Sequence, residues 1–169
     1  LDSIPEHLAD NPVVAAVRTA ERPHKWPEKS IAIMTGDTAL DEWGPWSLEE
    51  GIGGSEEAII RIVPKLTKLG YKVVIFGKPG SKIGYDQESG VMWRNFWDCN
   101  LDDEFDIFIS WRAPFIFERE IKARKKYLWL HDVMEAGEFS EKRIANFDKC
   151  ILLSKYHRNL FPMIPDEKV

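Results

Sequence analysis

The chain has 169 residues, of which 44% are hydrophobic and 30% charged, which is ordinary for a globular protein. A net charge of −5 argues against nucleic-acid binding, which requires a basic face. No apolar stretch is long enough to span a bilayer, and no basic-then-apolar signal segment opens the chain. We therefore expect a location in the cytoplasm, with peripheral membrane attachment left open. Cys99 and Cys150 lack metal-site spacing and are expected to be reduced thiols.

Residues 1–29 are predicted to be an extension that precedes the main domain. The segment 5–18 is compatible with one or two short helices interrupted at Pro12, and Pro23 and Pro27 then mark a linker. The first residue is Leu1 rather than Met, so we expect the chain to be an excerpt from a longer polypeptide.

From Ser30 onward, short apolar segments alternate with amphipathic ones. The predicted strands cover 31–34, 71–76, 91–93, 106–110, 127–130 and 150–153, and the predicted helices cover 55–69, 114–125, 139–147 and 154–160. Ser55 is the expected N-cap of the first helix, and Gly70 is its expected stop. The alternation predicts an α/β domain over residues 30–169, with a Rossmann-like parallel sheet and helices on both faces.

A glycine-rich turn, formed by Gly51, Gly53 and Gly54, leads directly into the first long helix. Glycines let a ligand approach the backbone closely, and a helix start offers unpaired N–H groups and a positive dipole end. Gly53, Gly54 and Ser55 are therefore predicted to bind a phosphate, most simply a diphosphate. The turn could instead only let the loop approach the sheet. It matches neither a dinucleotide fingerprint nor a P-loop.

Ligands of such sheets bind outside the carboxyl ends of the strands, which directs attention to the residues that follow each strand. His131 is one of them, and an imidazole there could hydrogen-bond a sugar hydroxyl or share a developing charge. Trp111 and Arg112 follow another strand. Arg112 could hold a carboxylate or phosphate, or form a surface salt bridge under a packed tryptophan. Trp46 lies in the long first loop, where it could form an acceptor wall or simply pack.

Together these segments resemble the N-terminal half of GT-B glycosyltransferases, most closely those of family 4, which retain the anomeric configuration. The resemblance covers about residues 30–162. It rests on the strand, long loop and glycine turn that lead into Ser55-Glu56-Glu57, and on the later Leu130-His131-Asp132.

The resemblance implies two Rossmann-like domains facing across a cleft, of which this chain would be the acceptor-side one. It implies that the glycine loop approaches the donor diphosphate and that His131 contacts the donor sugar near the reacting carbon. It further implies metal-independent catalysis without a cofactor, with a nucleotide-sugar as donor and an absent C-terminal domain holding most of it. The fragment alone would then be inactive. The acceptor, whether a sugar, a lipid-linked molecule or a protein, is left open, with Trp46, Trp111 and Arg112 as its predicted contacts.

The sequence leaves two alternatives open. The chain could be a non-catalytic module of the same fold that binds a nucleotide or another small ligand, or it could be an interaction scaffold.

Overall fold

The computed structural model describes residues 12–14, 23–36 and 41–169, and these contain a seven-stranded sheet. The strands are β1 (Ser30–Met34), β2 (Lys72–Gly77), β3 (Gly84–Asp86), β4 (Val91–Asn95), β5 (Phe105–Trp111), β6 (Ala123–Trp129) and β7 (Lys149–Ile151). Their order is β3-β4-β2-β1-β5-β6-β7. All neighbours are parallel except β3 and β4. The α/β architecture is thus confirmed and is compatible with a Rossmann-like fold.

The α-helices that the structure describes from end to end are α1 (Ser47–Glu50), α2 (Gly54–Lys68), α3 (Glu141–Asn146) and α4 (Lys155–Asn159). Two apolar clusters cover the two faces of the sheet. Ile31 and Ile33 of β1 pack with Ile59 and Val63 of α2 on one face. Alternate residues of the same strand belong to the second cluster, which includes Phe117, Phe147 and Phe161. Because both faces of β1 are buried, its sequence from Ile31 to Met34 is continuously apolar.

Helix α2 is the longest helix in the described part of the chain, and it ends where the sequence predicts. Gly70 has φ 88°, and its N–H donates to Thr67 O at 2.9 Å, while Tyr71 N donates to Leu66 O at 3.2 Å. This pair of bonds is a Schellman motif, which needs the left-handed conformation that glycine adopts freely. The start of α2 differs from the prediction, because Gly53 is the N-cap and Ser55 lies inside the helix.

Two other sequence predictions are wrong. Residues 114–125 do not form an α-helix: a 3-10 helix, Pro114–Glu118, is followed by an extended segment that enters β6 at Ala123. The physical reason is strand pairing, because β6 runs beside β5 from Phe105↔Ala123 to Trp111↔Trp129 and takes up residues that a helix would have used. Strand β3 lies where the sequence predicted neither strand nor helix, and it forms an antiparallel hairpin with β4.

The predicted extension is described only at residues 12–14, which are helical, and from Pro23 onward; the other residues of the 5–18 prediction lie outside the described part. Lys25 forms a parallel bridge with Glu104, and the indole N–H of Trp26 donates to Asp103 Oδ2 at 2.9 Å. The end of the predicted linker therefore packs onto the domain. In the described part of the chain, no helix has both the length and the apolar character needed to cross a bilayer.

Candidate functional site

The strand order reverses next to β1, and this places a crevice at the carboxyl edge of the sheet. From β1 the chain proceeds to β2 on one side, and later crosses to β5 on the other side. Loops that leave the two adjacent strands β1 and β5 diverge there, and ligands of open α/β sheets bind at such a switch point. Topology alone thus directs attention to the loop after β1 and to Arg112, which follows β5.

A cavity of about 860 Å³ occupies this position. Its lining combines the end of the loop after β1, the start of α2 and one arginine: Asp41, Glu42, Trp43, Ser47, Glu50, Gly51, Ile52, Gly53, Ser55, Glu56 and Arg112. Of the predicted phosphate-binding residues, Gly53 and Ser55 line this cavity and Gly54 lies between them. Of the predicted acceptor contacts, only Arg112 lines it.

The start of α2 has backbone donors that the helix itself does not use. The first intrahelical bond runs from Glu57 N to Gly53 O at 3.0 Å, so the amides of Gly54, Ser55 and Glu56 precede the regular ladder. Gly53 provides no side-chain cap. A Cβ built on Gly54 would meet no heavy atom within 4 Å, so nothing in the described protein requires glycine there. Close approach of a ligand would require it.

Glu56 bends back over this helix start. A Cβ built on Gly53 would lie 2.5 Å from Glu56 Oε2, which places the carboxylate beside the N-cap. Glu56 precedes the buried residues Ile59 and Ile60 by three and four positions, so it lies on the inward face of the helix. Glu57 lies on the outer side instead and pairs with Arg61 one turn later. The two neighbouring glutamates therefore occupy different environments.

Arg112 connects the helix start to the loop after β6. Its Nη1 lies 2.9 Å from Glu56 Oε1, and its Nε donates to Asp132 Oδ2. Arg112 adopts φ 59°, an uncommon conformation for a residue with a side chain, and its backbone N–H donates to Trp129 O at 2.9 Å. The guanidinium also lies 4.8 Å from the Trp111 ring centroid. Two carboxylates thus hold the cation that lines the cavity.

His131 lies behind this ion-pair chain rather than in the cavity lining. Its ring centroid is 4.9 Å from that of Trp129 and 5.7 Å from that of Trp111. Its Nε2 is buried and has no hydrogen-bond partner among the described residues. Burial lowers the pKa of His131, and the positive charge of Arg112 lowers it further, whereas Asp132 opposes both effects. The neutral imidazole is therefore favoured.

The predicted acceptor tryptophans lie apart from the cavity. Trp111 is fully buried, with its ring 5.8 Å from that of Trp43, so this conformation leaves it no free face for an acceptor. Trp46 lines a different groove beside β3 and β4. Arg112 is therefore the only one of the three predicted acceptor contacts that lies in the cavity at the switch point.

From the sequence, His157 is expected near the same edge of the sheet as His131, but it is given no role there. The buried His157 accepts a hydrogen bond from Leu153 N at Nδ1, at 3.2 Å, so its Nε2 carries the proton and donates to Asp132 O at 3.0 Å. This bond ties α4 to the loop that carries His131 and Asp132. The only signal in the sequence is that His157 lies in the segment after the last predicted strand, near the same edge of the sheet as His131.

Comparison with known proteins gives no match to a family model, to a curated protein or to a solved structure. Among the residues the structure describes, no three His, Cys, Asp or Glu side chains are grouped so that they could hold a metal ion. Both cysteines are free, and burial raises the pKa of Cys150 to about 12. The site must therefore be interpreted from its own geometry.

Proposed function

We propose that this chain is the acceptor-side N-terminal domain of a retaining GT-B glycosyltransferase, which transfers a sugar from a nucleotide-sugar to an acceptor. One observation carries the proposal: the cavity at the topological switch point combines an uncapped helix start with an arginine from the neighbouring strand end. The cavity is large enough for a small ligand, and its position is where open α/β sheets bind nucleotides.

The helix start supports a role with the departing nucleoside diphosphate. Sugar transfer leaves negative charge on the diphosphate, and backbone amides fixed in place stabilise such charge without reorganising. Gly53, Gly54 and Ser55 would supply those donors, and the absence of a Cβ on Gly54 lets the diphosphate approach. Arg112, which also lines the cavity, would add positive charge.

Glu56 sets a condition on this role. Its carboxylate lies beside the N-cap and pairs with Arg112, so it occupies the place that an incoming anion needs. Binding of a diphosphate therefore requires Glu56 to release Arg112 and turn away, after which its oxygens can accept a sugar hydroxyl. Asp132 keeps the guanidinium in position during this exchange.

His131 is the proposed catalytic residue. Its lowered pKa keeps the imidazole neutral at physiological pH, so it can hydrogen-bond a sugar hydroxyl without placing a full positive charge near the reacting carbon. Because Trp111 and Trp129 pack around the ring, a modest movement of the loop after β6 has to bring Nε2 to the ligand. Closure of a second domain over the cavity would supply that movement and exclude water.

The test uses the polypeptide encoded by the complete reading frame. It is assayed for transfer and for hydrolysis with a panel of UDP-, GDP- and ADP-sugars, without added metal and with a metal chelator as control. The proposal predicts turnover with at least one donor and severe loss of turnover in His131→Ala, with the thermal unfolding midpoint preserved. No turnover with any donor, or full turnover in His131→Ala, would contradict it.

A non-catalytic module that binds a small ligand is the second candidate, and the charge of the cavity favours it. Among the described residues that line the cavity, four are acidic, Asp41, Glu42, Glu50 and Glu56, and one is basic, Arg112. This charge suits a neutral, hydroxyl-rich ligand better than a bare anion. Thermal-shift measurements on the present chain separate the two: stabilisation by neutral sugars but not by nucleotides favours the module.

A further inference from the structure

A second depression, the Trp46 groove, lies beside the cavity but shares none of its lining residues. We define it by Trp46, Glu49, Lys82, Tyr85, Asp86 and Glu88, and its volume is about 500 Å³. Helix α1 separates the two sites, because Ser47 and Glu50 line the cavity while Trp46 and Glu49 line the groove. The groove is therefore a distinct feature of the surface. The sequence predicts Trp46 as an acceptor contact, but Trp46 lies outside the cavity to which we assign the transferase reaction, and that reaction gives the groove no role.

A cation already occupies the aromatic face of this groove. The ammonium Nζ of Lys82 lies 4.3 Å from the centroid of the Trp46 ring. At that distance the negative face of the indole attracts a positive charge. Within the described residues Lys82 forms no ion pair, so its contact with Trp46 is not the by-product of a salt bridge nearby. Lys82 thus shows which kind of charged group this face accepts.

The rest of the lining has the charge that a cation requires. Glu49, Asp86 and Glu88 contribute three carboxylates against the single ammonium of Lys82. These carboxylates are not grouped as metal ligands in the described part of the chain. Carboxylates dispersed around an aromatic face match a bulky organic cation, whose charge is spread over several methyl or methylene groups, better than a compact metal ion.

Two further aromatic residues complete the walls. Tyr85 is 53% exposed on β3 and offers a free ring surface. Trp93 is 1% exposed, and its indole N–H has no acceptor in the described part of the protein. The centroids of the Trp46 and Trp93 rings are 6.5 Å apart. Tyr85 and Trp93 therefore extend the aromatic lining that Trp46 begins.

We propose that the Trp46 groove binds a small alkylammonium ligand whose cationic head replaces the Lys82 ammonium over Trp46. The carboxylates of the groove balance its charge. Lys82 acts as an internal competitor for the same aromatic face. This proposal does not depend on transferase activity.

Choline is the probe, and 3,3-dimethylbutan-1-ol, which has the same shape without the charge, is its control. Each is titrated into the present chain at constant ionic strength, and the indole N–H signals of Trp46 and Trp93 are followed by NMR. Choline should shift these signals saturably, and the neutral alcohol should not. Equal shifts with both probes, or no shift with choline in either the unaltered chain or Lys82→Ala, would overturn the proposal.

Substitutions distinguish choline binding in the groove from a general effect of surface charge on choline binding. Lys82→Ala should strengthen choline binding about 2- to 5-fold, because a competing cation worth ~0.5–1 kcal/mol is removed. Lys68→Ala removes another exposed positive charge, at the last residue of α2, and should leave binding unchanged. Trp46→Ala should abolish the shift of the Trp93 signal, and Glu49→Gln, at an exposed position, should weaken binding about 2-fold. Equal effects of Lys82→Ala and Lys68→Ala would contradict a specific site.

Free and lipid-bound sources of the same head group are distinguished by sedimentation with phosphatidylcholine vesicles. Absence of sedimentation together with choline binding supports a soluble ligand. Sedimentation that Trp46→Ala removes supports the same groove and assigns it to a lipid head group. Sedimentation that Trp46→Ala leaves unchanged contradicts the assignment to this groove.

Discussion

Replacing Glu56 by Gln should make the protein less stable and, at the same time, a better anion binder. The carboxylate of Glu56 lies beside the N-cap of α2 and pairs directly with Arg112, whose Nη1 lies 2.9 Å from Glu56 Oε1. Its removal takes a negative charge away from the helix start and frees one side of the guanidinium. Both changes favour a diphosphate, while the folded protein loses an ion pair and a favourable interaction with the helix dipole.

The magnitude follows from the exposure of the two side chains. The side chain of Glu56 is 12% exposed and that of Arg112 is 21% exposed, so solvent screens this pair only partly. Unit charges 4 Å apart interact by about 4 kcal/mol at the effective dielectric constant of a protein surface. Desolvation and salt offset more than half of this, which leaves ~1–2 kcal/mol, or a 5- to 30-fold gain in anion affinity. The cost to stability should be about 1 kcal/mol, or a fall of about 2–4 °C in the unfolding midpoint.

Glu57→Gln is the matched control, because it makes the same chemical change one residue away in the same helix turn. Glu57 pairs with Arg61 through side chains that are 40% and 64% exposed, so the loss should be within about 0.5 kcal/mol. Affinity for UDP and for inorganic pyrophosphate is measured by calorimetry, and stability by thermal unfolding. Equal anion affinities of the two variants would refute the role of Glu56 as an internal occupant of the site.

Three further predictions test other parts of the account. Gly54→Ala should leave the unfolding midpoint unchanged or slightly raised, because the new Cβ meets no atom within 4 Å. The same variant should bind UDP at least about 10-fold more weakly in calorimetry, and unchanged binding would contradict close approach of a ligand at Gly54. Gly70→Ala should cost about 1 kcal/mol in urea denaturation, since Gly70 has φ 88°, whereas a cost near zero would contradict its role in ending α2. The folded-state pKa of His131 lies below its unfolded value, so its neutral form contributes stability above pH ~6.5 that is lost as the pH falls towards the folded-state pKa. His131→Gln should therefore show a smaller fall in stability between pH 7 and pH 5 in urea denaturation, and an identical fall would count against burial of the imidazole.

Local sequence patterns predicted the parts of the fold that depend on short-range physics. The apolar run of β1 and the glycine that ends α2 could be read directly, because continuous burial and a left-handed C-terminus leave clear residue signals. The failure at residues 114–125 has a non-local cause. Whether that segment becomes helix or strand depends on its pairing along β5, which its own sequence does not encode.

The candidate site was predictable in position but not in charge. The glycine turn and Arg112 both lie in segments that follow strands, and such segments meet at the carboxyl edge of a parallel sheet. Their common position in the cavity was therefore predictable. The orientation of Glu56 over the helix start depends on the helix register and on the distance to Arg112, which only the folded structure fixes. Trp111 was a predicted ligand contact because it follows a predicted strand, yet its side chain is fully buried in the core.

NMR mapping of nucleotide binding tests the central claim most directly. Backbone amide signals of the present chain and of Glu56→Gln are followed while UDP, GDP and ADP are added separately. The account predicts that one nucleotide shifts the amides of Gly53, Gly54 and Ser55 at the lowest concentrations, and at lower concentrations still in Glu56→Gln. If none of the three nucleotides shifts these amides in either protein, or if the shifts centre elsewhere on the sheet, the helix start is not a diphosphate site.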